Sequence, residues 1–271
     1  PNPDVLRETI HYFTDDQIGL IQTRWGHLNR NYNLLTRMQA MFLDGHLELE
    51  QTARNRSGRF FTFNGTGGIW RKKCIADAGG WEHDTLTEDM DLSYRAQLRN
   101  WRFIFLNEVE TPAELPVDMD GFKSQQHRWT KGSIQCCKKV LPAIWRSRFP
   151  LHVKLEATAH LTSNFAWLLV MVLCFLIFPN TKYQPEMSVW VKALIHIPIF
   201  IFASGSVVFF YLMAQKALNP RGWWREIIYL PCLLALGIGM SINNARAVLE
   251  ALLLYSRRAL FILIRDAPPQ Q

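Results

Sequence analysis

Three clusters of polar residues in the first half of the sequence carry the chemistry of a group-transfer site. Thr87-Glu88-Asp89-Met90-Asp91 puts carboxylates at the start of a predicted helix, where the macrodipole favours negative charge and keeps it ionised. An ionised carboxylate at a pocket edge accepts a proton from an attacking hydroxyl. The same acids also serve merely to cap and charge a helix start. Gln125-Gln126-His127-Arg128-Trp129 sets Gln125, Arg128 and Trp129 at i, i+3 and i+4, on one face of a helix. Arg and Gln donate hydrogen bonds to phosphate oxygens, and an indole face stacks on a sugar ring. A helix showing Arg and Trp to lipid head groups has the same pattern. The third cluster, Asn64-Gly65-Thr66-Gly67-Gly68, has glycines that permit positive φ and close approach of a ligand to the main chain. Asn-Gly is equally the signal of a plain turn.

The elements that must position these clusters are of mixed type. Ile18–Trp25, Phe60–Phe63 and Trp101–Leu106 are apolar, aromatic or alternating stretches suited to strands. Leu34, Leu35, Met38, Met41, Phe42, Gly45 and Leu49 recur at helical spacing, which predicts one long amphipathic helix. Thr85-Leu86-Thr87-Glu88 has capping-box spacing, so a second helix is predicted from near Thr85 through Arg99.

The second half of the chain has another composition. Residues 1–150 hold 20 Lys/Arg and 18 Asp/Glu, whereas residues 151–271 hold only 10 and 5. Runs without a formal charge cover 157–181, 193–215 and 227–245, each near the ~20 residues that cross a bilayer core. About three spans are therefore expected. The third has a polar end, and the amphipathic stretch 245–254, with Arg246 and Glu250, suits the membrane interface instead. Lys138, Lys139, Arg146, Arg148 and Lys154 precede the first run, and Lys182 alone is basic in the short loop after it, which predicts that residues 1–156 face the cytosol. Trp145, Trp190, Trp223 and Trp224 flank the runs as interfacial aromatics do. These features exclude a disordered chain, a disulfide-stapled scaffold and a purely soluble enzyme. Of the net charge of +7, +5 lies in residues 151–271 around the apolar runs, and it needs no nucleic-acid partner. The five cysteines form no Cys-x-x-Cys pair, so they are expected to be reduced and structural, without a zinc site.

Phe63-Asn64-Gly65-Thr66, then Gly79-Gly80-Trp81, Thr87-Glu88-Asp89 and finally Gln125-Gln126-x-Arg128-Trp129 ahead of apolar runs resembles the C-terminal part of membrane-embedded family 2 glycosyltransferases. Within that group the sequence looks most like bacterial cellulose-synthase-like and mannan-synthase-like enzymes. The resemblance implies the C-terminal half of an α/β, GT-A-type catalytic domain over residues 1–140, including the Gln-Gln-His-Arg-Trp helix. An amphipathic basic linker at 141–156, an α-helical transmembrane region at 157–256 and a tail at 257–271 follow.

By the same resemblance Asp89 is the general base, while Gln125 and Arg128 contact the donor pyrophosphate and Trp129 stacks on the acceptor. Thr87, Glu88 and Gln126 complete the binding set, and Asn64, Gly65, Thr66 and Gly67 line the acceptor side. The implied activity is inverting transfer of a hexose from UDP- or GDP-hexose to a growing β-linked polysaccharide at the cytosolic membrane face, processive and coupled to export. A bacterial inner membrane is the expected location, and a polysaccharide or lipid the acceptor. A glycolipid-forming transferase shares the Gln-x-x-Arg-Trp pattern, and a transporter or scaffold with a binding-only cytosolic part is the alternative of another class. Mg²⁺ or Mn²⁺ is implied, on an Asp-x-Asp expected before Pro1; Asp89-Met90-Asp91 and Asp118-Met119-Asp120 follow no apolar strand and are read as chance matches. The gating segment of cellulose synthases has no counterpart over 259–271. Residues 1–271 alone are thus expected to show no turnover in a sugar-transfer assay; turnover by this segment alone would contradict an incomplete donor site.

Overall fold

The computed structural model describes residues 3–182 and 188–265, the side chains of 177–182, 203 and 254–265 excepted. The chain opens with α1 (Val5–Thr9) and a 3-10 turn (Ile10–Thr14), then β1 (Ile18–His27). A helical run follows: α2 (Leu34–Asp44), a π-helix (Gly45–Gln51) and α3 (Thr52–Arg56). Next come β2 (Gly68–Trp70), α4 (Lys72–Asp77), α5 (Glu88–Leu98), β3 (Arg102–Ala113) and the long α6 (Met119–Arg146). The apolar part comprises α7 (Leu151–Thr162), a 3-10 turn (Ser163–Phe165), α8 (Ala166–Lys182), α9 (Val189–Leu218), a 3-10 segment (Trp223–Tyr229) and α10 (Leu230–Arg265).

The sheet has the order β2-β1-β3, with β1 antiparallel to β2 and parallel to β3. Leu20 of β1 is fully buried and joins Phe61, Phe63, Leu92, Ala96, Phe103 and Phe105 in the main core. Ile18, Ile21 and Leu106 form a separate cluster with Tyr12 and Phe13. The predicted strand at Phe60–Phe63 pairs in no ladder. Its backbone is held by side chains instead: Gln97 Nε2 donates to the Phe61 carbonyl at 2.8 Å and the Phe63 N–H donates to Ser93 Oγ at 2.9 Å. Helix α5 thus does for this segment what a neighbouring strand does elsewhere.

Two predicted boundaries shift. The long amphipathic helix is present, but its second half winds as a π-helix, a form that hydropathy spacing does not distinguish. The second helix starts at Glu88 rather than near Thr85; Thr87 is its N-cap, and no side-chain bond caps it. The expected linker at 141–156 is mostly helix, with residues 141–146 finishing α6 and 151–156 opening α7. Only Ser147–Pro150 breaks the two: Ser147 turns extended at the C-cap of α6 (φ −68°, ψ 166°), and Pro150 sits at the N-cap of α7.

A buried ionic knot holds α5 against α6. Asp91 is fully buried and receives Arg95 at 2.8 Å and Lys139 Nζ at 3.1 Å; the same ammonium reaches Glu82 at 2.5 Å and Asp84 at 2.8 Å. Three carboxylates around Lys139 raise its pKa despite the burial that opposes this. A second knot ties the soluble domain to α9: Asp44 takes Arg30 at 2.5 Å and Gln215 Nε2 at 2.8 Å, and Arg30 also donates to Gln215 Oε1 at 2.6 Å. His27 Nε2 lies 3.3 Å from Asp44. Burial pushes the Asp44 carboxyl up, but His27 and Arg30 outweigh it and leave it below the ordinary carboxylate range.

Among the described residues three helical stretches are long and apolar enough to cross a membrane: Leu151–Leu176, Val189–Leu218 and Trp223–Leu253. The third packs on the soluble domain along its course. Leu230 and Leu233 meet Met38 and Met41, Asn243 Nδ2 donates to the Lys123 carbonyl at 3.1 Å, and Glu250 receives Lys131 at 2.9 Å. These contacts tie α10 to α2 and α6 from Leu230 to Glu250, and α10 packs on α8 as well. The loop holding Lys182 and the tail from 266 onward, where a gating segment was sought, lie outside the described residues or side chains.

Lys139→Met removes one of the two cations on a fully buried carboxylate. It should cost on the order of 3 kcal/mol, seen as a lower unfolding midpoint of the detergent-solubilised protein; an unchanged midpoint would show that Arg95 alone suffices.

Candidate active site

Asp89 and Trp129 line one cavity. A cavity of about 380 Å³ is lined by Asp89 and Met90 from α5, by Phe63 and Asn64 from the extended segment, and by Gln125, Gln126 and Trp129 from α6. Its far wall is made by the apolar helices, including Trp167, Tyr211 and Met240. The 40 residues between Asp89 and Trp129 therefore fold back so that both face one space that extends between the candidate spans.

Close packing sets this geometry. A Cβ built on Gly132 would lie 2.8 Å from the Thr87 backbone nitrogen, so α6 approaches the start of α5 more closely than any side chain allows. Gly65 has φ +81°, and a Cβ there would lie 3.2 Å from Asp89 Oδ2. The Asn64–Gly68 loop thus folds against Asp89 rather than closing a hairpin. It is held from behind: Gln22 Nε2 donates to the Thr66 carbonyl at 3.0 Å, and Trp25 Nε1 donates to the same oxygen at 3.1 Å. Trp25 in turn packs near Trp129, their ring centroids 6.5 Å apart.

Asp89 has the environment of a base. Burial is the largest influence and pushes its carboxyl up to about 6, helped by the neighbouring charge of Glu88. The Met90 N–H, which donates to Oδ1 at 2.7 Å, and Arg128 pull the other way. The sequence argument stressed the helix start as a device keeping Asp89 ionised; desolvation dominates instead, and brings the pKa closer to neutral, where a general base works best.

The other predicted site residues sort into two groups. Asn64, Thr87, Asp89, Gln125, Gln126 and Trp129 line the cavity. Glu88 and Arg128 are exposed, and they, Gly65, Thr66 and Gly67 lie outside the lining. Arg128 thus falls off the cavity face that the i, i+3, i+4 spacing assigned to it, while still acting on Asp89 through its charge. Sequence reasoning missed Trp25, His46, His160 and Ser133. For Ser133 a signal existed, since it stands four residues after Trp129 and eight after Gln125, on the same helical face.

Neither Asp-x-Asp run forms a metal site. Asp89 faces the cavity while Asp91 is turned into the ionic knot, and Asp118 caps α6 by accepting from the Gly121 N–H at 2.7 Å. Glu82, Asp84 and Asp91 bring oxygens within 4.8 Å of one another, but the Lys139 ammonium fills that space, so the set does not fit a divalent cation.

The profile of glycosyl transferase family group 2 matches residues 1–242. Glucomannan 4-beta-mannosyltransferase 1 of Oryza sativa subsp. japonica is 35% identical over 235 residues, 81% of this chain and 44% of that protein. Glucomannan 4-beta-mannosyltransferase 2 of Arabidopsis thaliana is 37% identical over 215 residues, 76% of this chain and 40% of that protein. The chain thus spans less than half the length of the curated relatives it matches. An α/β domain with a mixed sheet, followed by helices apolar enough to cross a bilayer, is the GT-A arrangement with a membrane region that the motifs implied. With this profile over most of its length and the cellulose-synthase-like motifs around one cavity, the chain belongs to glycosyl transferase family group 2.

Proposed function

We propose that the full-length protein is an inverting hexosyltransferase that extends a β-linked polysaccharide at a membrane surface. The observation that carries this is the shared cavity: a half-buried carboxylate with a pKa of about 6 and an indole face, in a space walled on its other side by apolar helices. Asp89 takes the proton of the acceptor hydroxyl while that oxygen bonds to the anomeric carbon. The bond from that carbon to the diphosphate oxygen breaks, and the nucleoside diphosphate leaves with the electron pair. Displacement from the face opposite the leaving group inverts the centre. Trp129 holds the acceptor ring by stacking, and Gln125 and Gln126 offer neutral hydrogen bonds.

The relatives transfer mannose, which makes a mannosyl donor such as GDP-mannose the first choice, with UDP-glucose the second. A cavity continuing between apolar helices favours a polymer that is extended repeatedly and threaded outward over release of a single glycolipid. The basic residues before the first span support a cytosolic position for residues 1–156. The relatives are plant proteins, and they lend no support to the bacterial inner membrane expected from the motifs. The divalent cation such donors need is assigned to ligands outside residues 1–271, because the acidic cluster of this chain is filled by Lys139.

Asp89→Asn in the full-length enzyme should lower transfer by about 10²- to 10⁴-fold while leaving membrane insertion intact; unaffected transfer would favour a binding-only scaffold. In the unaltered enzyme the transfer rate should fall as pH drops through about 6, where Asp89 gains its proton and ceases to be a base. A rate that stays level from pH 7.5 to 5 would place the base elsewhere. Product analysis after reconstitution should give a ladder of polymer lengths; a single glycolipid would contradict the processive assignment.

A further inference from the structure

Thr87 stands at the N-cap of α5, yet its hydroxyl makes no capping bond. A capping bond is worth about 1 kcal/mol, so an N-cap threonine that forgoes it invites another use for its oxygen. Thr87 Oγ1 is buried and unpartnered, and the residue lines the cavity beside Asp89. Ser133 repeats the pattern from the opposite helix: 3% exposed, Oγ without a partner, and lining the same cavity. The two elements are brought together by Gly132, where a Cβ would lie 2.9 Å from Thr87 Oγ1.

We propose that the Thr87 and Ser133 hydroxyls form a subsite for a ring hydroxyl of the acceptor sugar, and that Ser133 is a specificity-determining residue outside the three sequence motifs. The proposal rests on the transferase function above and names the part of the acceptor that this wall of the cavity holds. The chemistry selects the ligand class. Ser and Thr hydroxyls both donate and accept, which suits a neutral sugar hydroxyl that does the same. Neither carries charge, and Arg128, the cation of the motif, is exposed outside the lining, so this wall is unsuited to a diphosphate. Hydroxyls left unpartnered in a buried wall also penalise an acceptor that lacks the matching group.

The test uses the full-length enzyme with β-1,4-linked mannotetraose and cellotetraose as acceptors, and a set of monodeoxy acceptors. Ser133→Ala should raise the acceptor KM about tenfold and leave the donor KM unchanged. One monodeoxy acceptor should cost the unaltered enzyme the same factor and cost Ser133→Ala nothing further. Ser133→Thr, which keeps a hydroxyl, should retain part of the acceptor affinity. An unchanged acceptor KM in Ser133→Ala, or equal sensitivity of both enzymes to every deoxy acceptor, overturns the subsite while leaving the transferase assignment standing. An unaltered enzyme that transfers no sugar to any acceptor overturns the transferase assignment itself, and the subsite with it.

Discussion

The close approach of two helix segments at Gly132 is the constraint from which the site follows. Helix α6 carries Gln125, Gln126, Trp129 and Ser133 on one face, and α5 begins at Glu88 with Asp89 one residue in. Only a residue without a side chain lets the first run within van der Waals contact of the Thr87 backbone. The knot of Lys139 with Asp91, Glu82 and Asp84, two turns farther along α6, fixes the same pair from the side away from the cavity. Burial of an ion pair is seldom a large net gain, but breaking one is costly, so the knot resists separation of the two helices.

Asp89 and Asp91 show how one short acidic run is divided between two tasks. Asp91 is fully buried but neutralised by two cations, and serves structure. Asp89 is half-buried with no direct cation partner and one backbone donor, so desolvation raises its pKa to about 6 and leaves a carboxylate suited to accept a proton. The residue type is identical; the partners decide. The same logic applies to the hydroxyls, where Ser93 supports the Phe63 backbone while Ser133 is left facing the cavity.

Much of this was legible in the sequence, unevenly. The apolar runs, the strand at β1 and the helix bearing Trp129 have periodicities set by burial on one face, and they were read correctly. Phe60–Phe63 was not, because an extended, buried, aromatic segment looks the same whether a strand or the side chains of Gln97 and Ser93 satisfy its backbone. The capping box at Thr85 failed for a related reason: spacing shows that a side chain is in reach of the helix start, not that it is used there. Arg128 shares an arc with Gln125 and Trp129, but the cavity face of α6 also carries Gln126, Thr130 and Ser133 and so lies to the other side of that pair, which leaves Arg128 outside it. Trp25, His46 and His160 carried no local signal, since their approach to the cavity depends on contacts between distant segments. Helix α10 is apolar and long enough to span, and its contacts with α2 and α6, which hydropathy does not reveal, tie it to the rest of the fold.

The central claim is that one acceptor sugar touches Asp89 and Trp129 at once. It is tested most directly by a structure of the full-length protein with a bound β-linked hexose oligosaccharide. The account predicts a terminal ring stacked on the Trp129 indole, with its attacking hydroxyl within hydrogen-bond distance of an Asp89 carboxylate oxygen. An oligosaccharide bound elsewhere, or one stacked on Trp129 with every hydroxyl beyond reach of Asp89, would contradict it.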